Sequence, residues 1–86
     1  MSGQEKVRVS VLIHGRQYTI TGTESPDHMK EVAGIVDEKM REINSINPNL
    51  NTETLAVLTA VNSIHEYMKL QEEYERILQE LNRIKE

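Results

Sequence analysis

The sequence has 86 residues, a net charge of −4 and no cysteine, phenylalanine or tryptophan. A chain this short makes one small domain and needs a staple beyond its own core. Without cysteine, disulfides and thiolate metal sites are excluded, and a reducing compartment is the easy reading. Residues 1–50 carry six Lys/Arg and seven Asp/Glu, residues 51–86 four and seven, so the halves are at −1 and −3. Neither half has a basic block, and three tyrosines make no base-stacking platform, which argues against nucleic acid and anionic membrane as partners. No apolar segment follows Met1 and no run approaches the roughly 20 residues that span a bilayer, so a soluble, cytoplasmic protein is expected.

In chain order, Met1 to Lys6 is polar. Val7 to His14 alternates strictly, with Val7, Val9, Val11 and Ile13 on one face and Leu12 as the one apolar residue on the other, the pattern of a half-buried strand. Gly15 and Arg16 are expected as a two-residue type II′ loop, because that turn takes glycine first. A second strand over Gln17 to Thr21 then points Tyr18 and Ile20 inward, with Ile13 facing Tyr18 and Val11 facing Ile20. A lone hairpin is marginal in water, so its apolar face must be covered.

The cover follows. Ser25 reads as an N-cap, Pro26 as the first helical residue and Asp27 as a favourable charge at the positive end. Met29, Val32, Ala33, Val36, Met40 and Ile43 then form one apolar stripe over about four turns. Gly34 inside it is read as a mark of close backbone packing. Asp37 and Glu38 read as the helix's exposed side. A connection broken by Pro48 leads to a second helix capped by Asn51 or Thr52.

That helix has no proline or glycine to the end of the chain and, at about 1.5 Å per residue, is on the order of 50 Å long. Its first part is apolar nearly all round through Leu55, Val57, Leu58, Val61, Ile64, Tyr67 and Met68, so one face is expected against its own hairpin and first helix and the other against a partner chain. Farther on only a heptad seam remains, with Tyr67, Tyr74 and Leu81 at a and Leu70, Ile77 and Ile84 at d. Ile64, Tyr67, Leu70, Tyr74, Ile77, Leu78, Leu81 and Ile84 are the expected oligomer interface. Glu66, Glu73 and Glu80 fall at g, where an antiparallel pair would oppose glutamates. A parallel pair is favoured, by tenths of a kcal/mol per contact. Leu78 at e widens the stripe and hints at a further helix-to-helix contact.

The fold class is therefore α+β: a small β-hairpin-plus-helix head followed by a long C-terminal coiled-coil helix, in the order β-β-α-α, dimeric. Residues 1–50 form the hairpin and first-helix part of the head. Residues 51–68 are the half of the long helix packed in the head and dimer core, and residues 69–86 are the stalk.

An enzyme fails on inventory. The four glycines stand isolated, no Gly-x-Ser-x-Gly turn exists, and neither a catalytic site nor a cofactor site is expected. His65-Glu66 begins like a zinc-protease helix, but Lys69 stands where the second histidine would be, so no metal is expected. Asn62, amid apolar residues, reads either as a buried amide serving a loop or as a polar register-setter at a dimer interface. Arg16 reads either as a solvated tip residue or as a guanidinium offered to a partner's carboxylate. Glu53 can simply favour the helix dipole, and Leu58 can simply be core.

Taken together, Val9-Ser10-Val11-Leu12-Ile13-His14-Gly15-Arg16, Asn51-Thr52-Glu53-Thr54-Leu55 and Ala60-Val61-Asn62 resemble, in sequence and in order, the bacterial cell division ZapA family, and its short Bacillus-type members in particular. The resemblance implies a non-enzymatic regulator that binds the tubulin-like GTPase FtsZ and cross-links its filaments into the mid-cell ring. It also implies that Arg16, Glu53 and Leu58, at the matching positions, contact FtsZ. Many relatives carry a longer stalk. The shorter one here points to a homodimer, with a dimer of dimers as the further assembly. Two rivals share parts of the pattern: a small DNA-binding or antitoxin-type regulator, which should be basic on one face, and a generic dimeric coiled-coil adaptor.

Overall fold

The computed structural model describes residues 5–85. Four elements follow one another: β1 (Val7–Ile13), β2 (Arg16–Gly22), α1 (Pro26–Ile46) and α2 (Thr52–Lys85). The architecture is the expected α+β one, an antiparallel two-stranded hairpin and then two helices, the second long.

The turn differs from the expectation. His14 and Gly15 form it, with φ of 52° and 75°, the left-handed pair that a type I′ turn needs. Histidine, like asparagine and aspartate, tolerates the left-handed region better than most residues. Arg16 therefore opens β2 opposite Ile13, Val11 pairs with Tyr18, and Val9 pairs with Ile20. The register has moved by two residues from the one expected. A shift of two preserves faces because the side-chain period is two, so Val9, Val11 and Ile20 still point the same way.

α1 lies across β1. Val9, Val11, Met29 and Ala33 are buried together, with Val7, Ile13 and Ile20 packed around them. Tyr18, expected inward, stays 44% exposed, because α1 covers β1 and leaves the inward face of β2 near the turn open. Ser25 caps α1 as read from the sequence, its hydroxyl accepting from the His28 N–H at 3.1 Å. At the far end of β2, a Cβ on Gly22 would sit 3.0 Å from the Met29 sulfur, so the strand closes onto the helix there. Gly34, by contrast, is exposed, and a methyl group added to it would meet nothing within 4 Å. Within the chain it does not mark close packing.

α2 packs on α1. Asn51 is its N-cap, accepting from the Thr54 N–H at 2.7 Å. The buried stripe is narrow: Leu55 is fully buried, Thr59 nearly so, and Ser63 partly. These residues stand four apart and share one face. The Thr59 hydroxyl donates to the Leu55 carbonyl and the Ser63 hydroxyl to the Thr59 carbonyl, each at 2.8 Å, so hydroxyls lie against α1 without a lost hydrogen bond. The hairpin takes its cover from α1, and α1 is the middle layer between hairpin and α2. The expectation that α2 covers the hairpin as well gives way to that order. A Lys39–Glu66 ion pair ties the helices at the far end of their contact.

The radius of gyration is 17.6 Å, against about 12 Å for a compact chain of this length. The longest dimension, 53 Å, matches a helix of 34 residues at about 1.5 Å per residue.

Candidate functional site

Two surfaces are built by this arrangement, the apolar flank of α2 and the charged tip of the hairpin. On α2, every residue of the expected interface is open to solvent in the single chain. Ile64, Tyr67, Leu70, Tyr74, Ile77, Leu78, Leu81 and Ile84 are all exposed, from 41% at Leu78 to 79% at Ile84. Val57, Leu58, Val61 and Met68 are further exposed apolar residues of the same helix, round its surface from that seam. Ala60, Val61, Ile64, His65 and Met68 line a shallow, mostly apolar groove there. Asn62 is exposed too, which removes the reading of it as a buried amide serving a loop in its own chain. So much exposed apolar surface on one helix marks an interaction surface.

The charges along α2 are partly engaged within the chain. Glu66 holds Lys39 of α1, and the Glu73 carboxylate lies 3.8 Å from the Arg76 guanidinium. The hydrogen bond from Lys39, and then its charge, hold the Glu66 carboxyl below its ordinary value, with smaller help from His65 and Lys69 against a slight desolvation. With Glu66 tied to its own head, Glu73 and Glu80 are the g-position glutamates left to oppose one another in an antiparallel pair.

At the hairpin tip, the His14 backbone N–H donates to the Asp37 carboxylate at 2.7 Å. The other Asp37 oxygen takes the Arg41 guanidinium at 2.6 Å, and the Asp37 side chain is only 15% exposed. Asp37 is therefore not part of a purely solvated face. The i,i+4 spacing to Arg41 is visible in the sequence, whereas the bond to His14 joins residues 23 apart and has no local signal. The Lys39–Glu66 pair, 27 residues apart, has none either.

Arg16, Glu53 and Leu58 are all exposed. Among the described residues, neither Arg16 nor Glu53 takes part in an ion pair. The fold brings Glu53 and Leu58 onto neighbouring turns of α2, while Arg16 sits beside the middle of α1. Asp37 and the C-terminal end of α1 are roughly 14 Å apart along the helix axis, and a step of five residues turns Leu58 about 140° round α2 from Glu53, so the three do not form a cluster. Among the described residues no three His, Asp or Glu side chains come together as a metal site. No helix of the described residues is long and apolar enough to cross a membrane.

The family model described as cell division protein ZapA matches residues 9–86. The chain belongs to the ZapA family. A ZapA from Geobacillus sp. (strain WCH70) is 57% identical over 86 residues, covering 100% of this chain and 99% of that protein. One from Bacillus velezensis is 56% identical over 81 residues, covering 94% and 95%. Among solved structures, a ZapA mutant dimer from Geobacillus stearothermophilus superposes with a TM-score of 0.71 at 51% identity, covering 95% of each chain. The ZapA fold and the cell division role of the family thus stand beside the geometry described above.

Proposed function

We propose that two copies of this chain pair along α2 and present two heads that bind FtsZ filaments, cross-linking them and promoting ring assembly at the division septum in the cytoplasm. The chain acts by binding and catalyses no reaction. The observation that carries this reading is the exposed seam on a helix that leaves its own head after Glu66. Each leucine or isoleucine covered there contributes on the order of 1.5–3 kcal/mol, enough over two turns of heptads to hold a dimer. The relative solved as a dimer supports the pairing. In this reading residues 51–68 are shared core, residues 69–86 are the stalk, and Arg16, Glu53 and Leu58 meet the filament.

Bridging then works by avidity. A stiff connector with a head on each protomer turns modest single-head affinity into firm cross-linking once both heads engage. The test is light scattering and pelleting of FtsZ with GTP, with and without the protein. Added protein should raise scattering and co-pellet, and Arg16→Glu should lose co-pelleting while remaining dimeric. Bundling should also weaken as salt rises, because charged contacts are screened over about 10 Å at 0.1 M. Unchanged scattering with dimeric wild-type protein would overturn the function.

A further inference from the structure

We infer that Asp37 is a positioning residue: it locks the hairpin tip to α1 and so sets the direction in which Arg16 is presented. The inference rests on the reading of Arg16 as a filament contact, and it concerns a residue that the reading itself does not include. Three observations meet at this point. His14 stands in the left-handed region at φ 52°, which disfavours a residue with a Cβ and needs outside support to persist. In a two-residue hairpin loop the first loop residue's N–H has no cross-strand carbonyl to bond. Here it reaches the Asp37 carboxylate at 2.7 Å, a charge-assisted bond.

The second oxygen of Asp37 is tied to Arg41 on the next turn of α1 at 2.6 Å. The carboxylate is thus a two-point brace, one arm on the rigid helix and one on the turn. Arg16 follows the turn directly and opens β2 opposite Ile13. α1 covers β1, whereas Tyr18 and Arg16 on the inward face of β2 are exposed, so packing alone does not fix this corner. With the brace removed, the hairpin core of Val9, Val11, Met29 and Ala33 is untouched, but the tip can twist on the two strands that carry it.

The test uses the full-length, isotopically labelled protein in three forms: wild type, Asp37→Ala and Asp37→Asn. In the wild type the His14 amide proton should resonate downfield and exchange slowly, as a charge-assisted donor does. In Asp37→Ala it should move upfield and exchange faster, and the Arg16 backbone should lose order on the picosecond–nanosecond scale, with helix content and mass unchanged. Asp37→Asn keeps an acceptor oxygen and should recover part of both signals. In FtsZ pelleting, Asp37→Ala should bind about fivefold more weakly, the worth of one misplaced polar contact. Combining it with Arg16→Ala should add nothing to Arg16→Ala alone.

A His14 amide and an Arg16 backbone that do not change in Asp37→Ala overturn the inference, whatever the filaments do. So does normal pelleting by Asp37→Ala when Arg16→Ala is defective. Normal pelleting by Arg16→Ala is a different failure: it removes Arg16 as the contact, while the amide signals still decide whether Asp37 holds the tip.

Discussion

The two helices start from similar sequence patterns and end differently. α1 carries one apolar stripe, and the chain covers much of it: Met29, Ala33 and Met40 are buried against the hairpin on one side and α2 on the other, while Val32, expected in the stripe, stays 46% exposed. α2 carries a longer and richer stripe, yet only Leu55 and Thr59 are buried in its 34 residues. The difference is one of reach. A two-stranded hairpin of seven-residue strands spans roughly 23 Å at about 3.3 Å per residue, enough to cover one helix of the head and no more. The chain thus covers most of the stripe of its first helix and leaves that of the second exposed.

This contrast can be broken most directly at the seam. Replacing Leu70 and Ile77 together with aspartate puts charges where two apolar knobs are expected to meet a partner. The double variant should sediment as a monomer. With six buried apolar residues among those described, it should also lose much of its helical circular dichroism, since a core that small does not hold alone. A well-folded monomer would show instead that the head is self-sufficient and the seam incidental.

Within α2, Leu55→Ala and Leu58→Ala sharpen the division between self-packing and outward faces. Leu55 is fully buried and Leu58 is 40% exposed. Leu55→Ala should lower stability by about 2–5 kcal/mol in urea melts. Leu58→Ala should change it by much less and act instead on FtsZ pelleting. Equal effects of the two on stability would mean that the partner chain buries Leu58 as fully as the head buries Leu55.

On α1, Gly34→Ala tests whether its outer surface is free. Nothing within 4 Å would meet the added methyl, and a helix interior favours alanine over glycine by about 1 kcal/mol. The variant should melt at a higher temperature. A lower melting temperature would place the second protomer against this spot.

The smallest effect concerns the tie between the helices. Because Lys39 holds the Glu66 carboxyl below its ordinary value of 4.5, the pair's contribution is complete above that value and fades as pH falls through the lower folded-state value. Lys39→Gln should therefore melt slightly below wild type at pH 7, and the gap should close on acidification below pH 4.5. A gap that persisted in acid would assign the loss to the packing of the lysine stem.

How much of this is legible in the sequence varies with distance along the chain. The Ser25 cap, the strand alternation from Val7 to Ile13 and the unbroken run after Asn51 all depend on neighbours within a few residues, and all stand in the structure as read. The turn falls one residue earlier than expected because glycine can serve as first or second loop residue. The competing choice needs a left-handed His14, which Asp37 stabilises from 23 residues away. Tyr18 has the right parity to face inward, but its exposure depends on where α1 crosses the sheet, and parity says nothing of that.

Alternation, stripe spacing and caps are local and periodic, so the sequence by itself determined the order of elements, the faces they turn inward and the excess of apolar surface on α2. Register at the turn, the middle place of α1, and the Asp37–His14 and Lys39–Glu66 ties were decided only in the tertiary structure. Each depends on a single pair of atoms brought together by the packing of other elements, and such pairs leave no period in the sequence.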